Sequence, residues 1–144
     1  MSRSIFAAAL LVASMAVAQA EAPARTSAPA GAEAYIIAPA DGAKLSNPVT
    51  VRFGLKGMGV APAGVAVADT GHHHLFIDTP LPADMSLPIP AVPEKILHFG
   101  KGQTETTLTL TPGKHTLQLL VGDMLHVPSA QPVASKQIII TVSK

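Results

Sequence analysis

A strict alternation of apolar and polar side chains is the feature that most constrains the fold of this chain. In residues 49–55 every second side chain is apolar, namely Val49, Val51, Phe53 and Leu55. Successive side chains of a β-strand point to opposite faces, so this pattern predicts a strand with one buried face. Comparable patterns predict strands at residues 34–38, 73–78, 106–110, 115–121 and 137–142, and a weak one at 65–67.

The regions between these strands exclude long helices. Five prolines lie between residues 79 and 93, which predicts a long, stiff surface loop. The tripeptide Thr111-Pro112-Gly113 predicts a tight hairpin between the strands at 106–110 and 115–121. Six or seven short strands with no helix predict an all-β protein, an immunoglobulin-like antiparallel β-sandwich.

The N-terminus has the layout of a secretory signal peptide. Arg3 precedes a short apolar run, and Ala18-Gln19-Ala20 supplies small residues on both sides of a cleavage site. We therefore expect residues 1–20 to be removed and the mature chain to begin at Glu21. The apolar run is too short to cross a bilayer, so we expect a periplasmic or secreted protein with no membrane association after cleavage.

The mature chain has the length of one domain. Residues 21–33 are rich in Ala, Pro and Ser and predict a flexible tether, which leaves residues 34–144 for a single β-sandwich domain. Without Arg3, nine Lys and Arg balance nine Asp and Glu, so nothing in the charge favours nucleic acid as a partner. The chain has no Cys, and such an exported domain depends on burial or on a metal ion for its stability.

Histidines are the main chemical resource of the chain. There are six, at positions 72, 73, 74, 98, 115 and 126. Imidazole is the commonest neutral metal ligand. Residues two apart on a strand share a face, so His72 and His74 can bind one ion while His73 points the other way with Leu75 and Ile77.

Further ligands must come from elsewhere in the fold. His98 and His126 are the candidates for a third and a fourth imidazole, and Met124 is a candidate thioether. Copper is our first choice and zinc the second, because His with Met suits Cu(I) whereas His with Asp suits zinc or Cu(II). Met58 and Met85 are expected to fill apolar space.

Histidine also has a purely structural role in many proteins. His115 is in phase with Leu117 and Leu119 and is expected to be a hydrogen-bonded structural residue. His73 is expected to be packed and hydrogen-bonded to the backbone at a sheet edge. For the other four histidines two hypotheses stay open, a metal site or a polar network that holds the long loops to the sandwich.

Four motifs in a fixed order resemble a known family. They are residues 39–42 (PADG), 71–78 (GHHHLFID), 98–105 (HFGKGQTE) and 112–119 (PGKHTLQL). Together they resemble the bacterial exported family called domain of unknown function 4399, which implies a periplasmic or secreted domain and no established activity. Members often carry a His-x-Pro-His pattern where this chain has His126-Val127-Pro128-Ser129, so the second histidine is missing here and Met124 is the nearby substitute.

Three classes of function follow. The first is a non-enzymatic metal-binding protein whose partner is the ion or an envelope protein that exchanges it. The second is an immunoglobulin-like structural or protein-interaction module with structural histidines. The third is an enzyme, and it is the least favoured. The His-x-His strand invites comparison with copper-zinc superoxide dismutase, but the paired Cys and fuller ligand set are absent, and there is no nucleophile-elbow motif.

Overall fold

Two β-sheets pack face to face. The computed structural model describes residues 24–144, and the predicted signal peptide lies outside the described residues. Within that range the chain forms nine strands and no helix: β1 (Glu33–Ala38), β2 (Lys44–Leu45), β3 (Val49–Lys56), β4 (Gly59–Val60), β5 (Thr70–Ile77), β6 (Ile96–His98), β7 (Glu105–Leu108), β8 (Gly113–Gly122) and β9 (Ile138–Val142). The predicted all-β antiparallel β-sandwich is confirmed. No helix among residues 24–144 has the length and apolar character needed to span a membrane.

The first sheet has the order β1-β3-β7 and is antiparallel. The second has the order β2-β9-β8-β5-β4, and the short strand β6 also pairs with β5. Its long strands are antiparallel, whereas the two-residue strands β2 and β4 run parallel to their neighbours. Strand β5 therefore lies inside the second sheet, between β8 on one side and the short strands β4 and β6 on the other.

The two faces of the second sheet are both covered. Its inner face packs against the first sheet, where Leu75 and Leu119 meet Val51 in the main core. On its outer face Phe76 and Leu120 form a smaller core with Ile89 and Ile96. Ile89 belongs to the proline-rich segment that follows β5, so that segment covers the sheet. This double cover explains why every residue from Gly71 to Ile77 is buried.

The predicted hairpin at Thr111-Pro112-Gly113 is wrong. Strand β7 pairs with β3 in the first sheet, whereas β8 pairs with β5 and β9 in the second. The tripeptide therefore carries the chain from one sheet to the other. Asn47 holds the end of the crossing segment, because its amide donates to the Leu110 carbonyl (2.7 Å) and accepts from the Leu110 N–H (2.9 Å). An alternating pattern identifies a strand and its buried face, but not its partner.

The other strand predictions agree with the structure except at short elements. Residues 65–67 form no strand, and the two- and three-residue strands β2, β4 and β6 were not predicted. Residues 79–93 form no strand, as their prolines predict. The described part of the predicted tether contacts the domain: the Arg25 guanidinium donates to the Pro128 carbonyl (3.1 Å), and the Thr26 carbonyl accepts from the Ala130 N–H (2.8 Å).

Candidate metal centre

Strand β5 presents two histidines on the outer face of the second sheet. His72 pairs with Gly122 of β8, and His74 pairs with Leu120 of β8 on one side and with His98 of β6 on the other. His73 points to the inner face, as the two-residue period predicts. The register therefore places the imidazoles of His72, His74 and His98 on the same side of the sheet.

A tight turn adds the fourth histidine. One carboxylate oxygen of Asp123 accepts from the N–H groups of Leu125 (2.9 Å) and Val127 (3.0 Å), and the His126 N–H donates to the Asp123 carbonyl (2.8 Å). His126 has a φ of 67°, in the left-handed region. Its carbonyl accepts from the N–H of Ile89 (2.8 Å), which attaches the proline-rich segment to the turn. Residues 123–127 thus fold so that His126 faces the outer side of β5.

Two glycines make room for these rings. A Cβ on Gly122 would lie 3.0 Å from Cε1 of His74 and 3.1 Å from the backbone of His126, so a side chain there would separate the two. A Cβ on Gly100 would lie 2.2 Å from Cε1 of His98. Neither glycine was predicted as part of the site. Gly100 lies two residues after His98 in the sequence, and Gly122 is the strand partner of His72.

The four imidazoles converge. Their ring centroids are separated by 4.7 Å for His98 and His126, 6.0 Å for His74 and His126, and intermediate distances for the other four pairs. Four ring centroids at the corners of a tetrahedron with edges of about 5 Å each lie about 3.1 Å from its centre. When an imidazole binds a metal ion at a metal–nitrogen distance of about 2.0 Å, its ring centroid lies about 3.2 Å from the ion. The ring spacing therefore fits four ligands around one ion.

Ligand atoms of three of these residues form a tighter set. Nitrogens of His72, His98 and His126 all lie within 4.8 Å of one another. Two ligand nitrogens of a tetrahedral ion are about 3.3 Å apart, so a pair of rings at the 4.8 Å limit needs to close by about 1.5 Å to share one ion. His98 is exposed and His126 is half-buried, whereas His72 is fully buried, so the two outer rings have the freedom to make that adjustment.

The buried ring nitrogens lack hydrogen bonds. Both nitrogens of His72 and Nδ1 of His74 are buried with no hydrogen-bond partner among the described residues. Leaving such a group unsatisfied costs about 1–3 kcal/mol. A polar network that holds the loops would pair these atoms, so this observation disfavours the structural hypothesis for His72 and His74.

His115 shows what a structural histidine looks like in this fold. Its Nδ1 lies 2.7 Å from a carboxylate oxygen of Asp78, and its Nε2 lies 2.7 Å from the Thr111 carbonyl. Desolvation lowers the pKa of His115, but the hydrogen bonds to Asp78 and Thr111 and the Asp78 charge outweigh it and raise the pKa above its ordinary value. The predicted structural role of His115 is confirmed.

His73 differs from its prediction in two respects, because β5 is an interior strand and not a sheet edge, and because the ring makes no hydrogen bond within residues 24–144. It is buried, with its ring 5.3 Å from that of Phe53, but both of its ring nitrogens lack a partner among the described residues. The expected backbone hydrogen bond is therefore wrong. The ring points into the main core, where the backbone groups of β5 are already paired in the sheet, and burial lowers its pKa to about 4.

Desolvation favours the neutral form of three of the clustered histidines, His72, His74 and His98. Desolvation, and then the proximity of the other imidazoles, lowers the pKa of His72 to about 4 and that of His74 to about 3. Desolvation and His126 also lower the pKa of His98. The Asp123 charge acts in the opposite direction on His72 but is outweighed. A metal ligand must be unprotonated, so at neutral pH these rings need lose no proton to bind an ion.

Three methionines pack against the cores or line a second cavity. Met58 and Met124 line a separate cavity of about 370 Å³ together with residues 65–70, and none of the four clustered histidines lines it. Met58 also packs against the main core and Met85 against the smaller core, as predicted for apolar filler. Met124, predicted as a ligand, lines this cavity and is not among the residues that line the cleft beside His74, His98 and His126.

A cleft opens onto the cluster from the outside. Its volume is about 250 Å³, and it is lined by His74, His98 and His126 and by Pro88, Ile89 and Ala91 of the proline-rich segment. The sequence predicted this segment as a surface loop but did not indicate that it covers the histidines. A long-range contact of this kind depends on how the loop folds back over β5, which no local pattern reports.

Comparison with protein families identifies what the chain belongs to. The model of the family described as Domain of unknown function (DUF4399) matches residues 51–143. The protein is therefore a member of the DUF4399 family, as its motifs indicate, and the matched region contains all four clustered histidines. Comparison with curated proteins and with solved structures finds no match.

Proposed function

We propose that this protein binds one transition-metal ion through His72, His74, His98 and His126. The observation that carries the proposal is the convergence of four imidazoles, with buried ring nitrogens that have no hydrogen-bond partner within residues 24–144. An ion at the centre of the cluster would satisfy these nitrogens, and its binding energy would offset the cost of burying them.

Copper and zinc are the ions that an all-imidazole site favours. Imidazole is a good ligand for both, and Cu(II) leads the divalent series in affinity while zinc favours a tetrahedral arrangement. Met124 lines the other cavity, which gives no support to a thioether ligand for Cu(I). Copper stays our first choice and zinc our second.

The proposed role is reversible binding without catalysis. His72 and His74 are almost completely buried and would anchor the ion, while the exposed His98 would be the ligand that leaves first. Such graded exposure suits a protein that accepts an ion and passes it on. With the predicted signal peptide, this makes the protein a metal carrier of the periplasm or the extracellular space, whose partner is an envelope protein that supplies or receives the ion.

Calorimetric titration of residues 21–144 with Zn(II), Cu(II) and, under reducing anaerobic conditions, Cu(I) tests the proposal. We expect one ion per chain, and we expect the double variant His72→Ala/His74→Ala to lose the binding. His115→Asn is the matched control, since it removes a histidine outside the cluster. Affinity no tighter than about millimolar, which corresponds to roughly 4 kcal/mol, would contradict the proposal.

A further inference from the structure

The ligand set of the proposed metal site carries no charge. All four side chains are imidazoles, and imidazole binds a metal ion through a nitrogen of its neutral ring. A divalent ion held by neutral ligands keeps its full charge, and a charge that is partly removed from water is costly unless a counter-charge lies close to it.

Asp123 is the carboxylate whose charge acts on His72, but its oxygens are engaged elsewhere. One accepts the N–H groups of Leu125 and Val127, and the other accepts from the Thr26 hydroxyl (3.3 Å). Asp123 lines the separate cavity beside Met124, not the cleft above the histidines. Moving it into the cluster would break the turn that positions His126.

The cleft itself offers no counter-charge from the protein. Besides three histidines it is lined by the apolar residues Pro88, Ile89 and Ala91. Its volume of about 250 Å³ exceeds the roughly 30 Å³ that one water molecule occupies in the liquid, so it has room for a small ligand. Apolar walls cannot solvate an anion, so they favour a weakly hydrated one that gains most of its stabilisation from the ion.

We propose that the metal-loaded protein binds a compact monovalent anion in this cleft, in contact with the metal ion and beside Ile89 and Ala91. The anion supplies the negative charge that the imidazoles lack. This inference rests on the proposed function, because without a bound cation the cleft has no attraction for an anion.

The test uses Cu(II)-loaded protein and azide, a weakly hydrated monoanion whose bond to Cu(II) gives a charge-transfer absorption band. We expect one saturable azide site per bound copper, and no spectral change when azide is added to the metal-free protein. A Cu(II) spectrum that stays unchanged up to about 0.1 M azide, corresponding to an affinity weaker than about 1.4 kcal/mol, overturns the inference.

Two variants at one position separate charge from shape. Ala91 is exposed and lines the cleft, so Ala91→Asp places a carboxylate there and Ala91→Asn places a neutral side chain of nearly the same size. We expect the Asp variant to bind azide at least about tenfold more weakly and the Asn variant to stay within about threefold of the parent. Equal loss in both variants, or no loss in either, overturns the assignment.

The copper stoichiometry of each protein is measured first, which separates this inference from the proposed function. If the parent binds no copper, the proposed function fails and the anion site fails with it. If the parent binds one copper and shows no azide response, the anion site alone is wrong and the metal site stands.

Discussion

The two faces of β5 place neighbouring histidines in opposite surroundings. His73 points into the main core beside Phe53, and His72 and His74 point outward to His98 and His126. All three β5 histidines are almost completely buried and have ring nitrogens with no hydrogen-bond partner in the part of the chain that the structure describes. The difference is that apolar side chains surround His73, whereas imidazoles surround His72 and His74. Burial and missing hydrogen bonds therefore do not define a site by themselves, and convergence of ligand atoms does.

Metal-dependent stability gives the largest expected effect and separates the two faces directly. A metal at a thousandfold excess over its dissociation constant stabilises the folded state by about 4 kcal/mol. We expect thermal unfolding to show this gain in the parent and in His73→Leu, and to show little of it in His72→Ala. An equal loss of the metal effect in His73→Leu would contradict the division between the faces.

Acid sensitivity of the metal-free protein is the next effect in size. The pKa of His73 is about 4 in the folded state and 6.5 ordinarily, because burial disfavours its charge. The unfolded chain therefore takes up this proton first, so stability is fully present above pH 6.5 and is lost as pH falls from 6.5 towards 4. His72 and His74 act in the same direction.

His73→Leu is the variant that isolates the contribution of His73 to this pH-dependent loss of stability. It removes two buried nitrogens that have no hydrogen-bond partner among the described residues. We expect this to raise stability at neutral pH by about 1 kcal/mol and to flatten the decline of stability below pH 6.5. Denaturant unfolding between pH 4 and 8 with a chelator present measures both. A decline as steep as that of the parent would show that His73 does not contribute to it.

Gly100→Ala makes a smaller change and affects only the outer face. The added Cβ would overlap the His98 ring, which must move, and His98 is an exposed side chain at the end of β6. We expect metal affinity to fall about tenfold, equal to 1.4 kcal/mol, with little change in the melting temperature of the metal-free protein. Gly59→Ala is the control, because its Cβ would meet only the Thr70 methyl, at 3.3 Å. Equal affinities in the two variants would mean that the position of His98 does not matter.

The sequence indicated the inner face of β5 better than the outer one. Period-2 alternation is local, so it correctly placed His73 with Leu75 and separated both from His72 and His74. The convergence of His98 and His126 depends on β6 pairing with β5 and on the turn at Asp123, and these are long-range events that residue types only suggest. The ligand chemistry of histidine identified the four imidazoles as candidates. It could not indicate that Met124 lines a different cavity or that Ile89 lines the cleft at the cluster.

His115 gives the smallest expected effect and the opposite pH dependence. Its pKa is raised because the hydrogen bonds to Asp78 and Thr111 and the Asp78 charge outweigh desolvation. The stability that it contributes is therefore fully present below pH 6.5, the ordinary value, and is lost as pH rises through the folded-state pKa. Asp78 is about half exposed, so we expect Asp78→Asn to cost no more than about 1 kcal/mol at pH 6 and less at pH 8. Since this pair lies away from the four clustered imidazoles, the same variant should leave metal affinity unchanged, and a calorimetric titration of Asp78→Asn that showed a loss would mean that the cluster depends on the structural histidine after all.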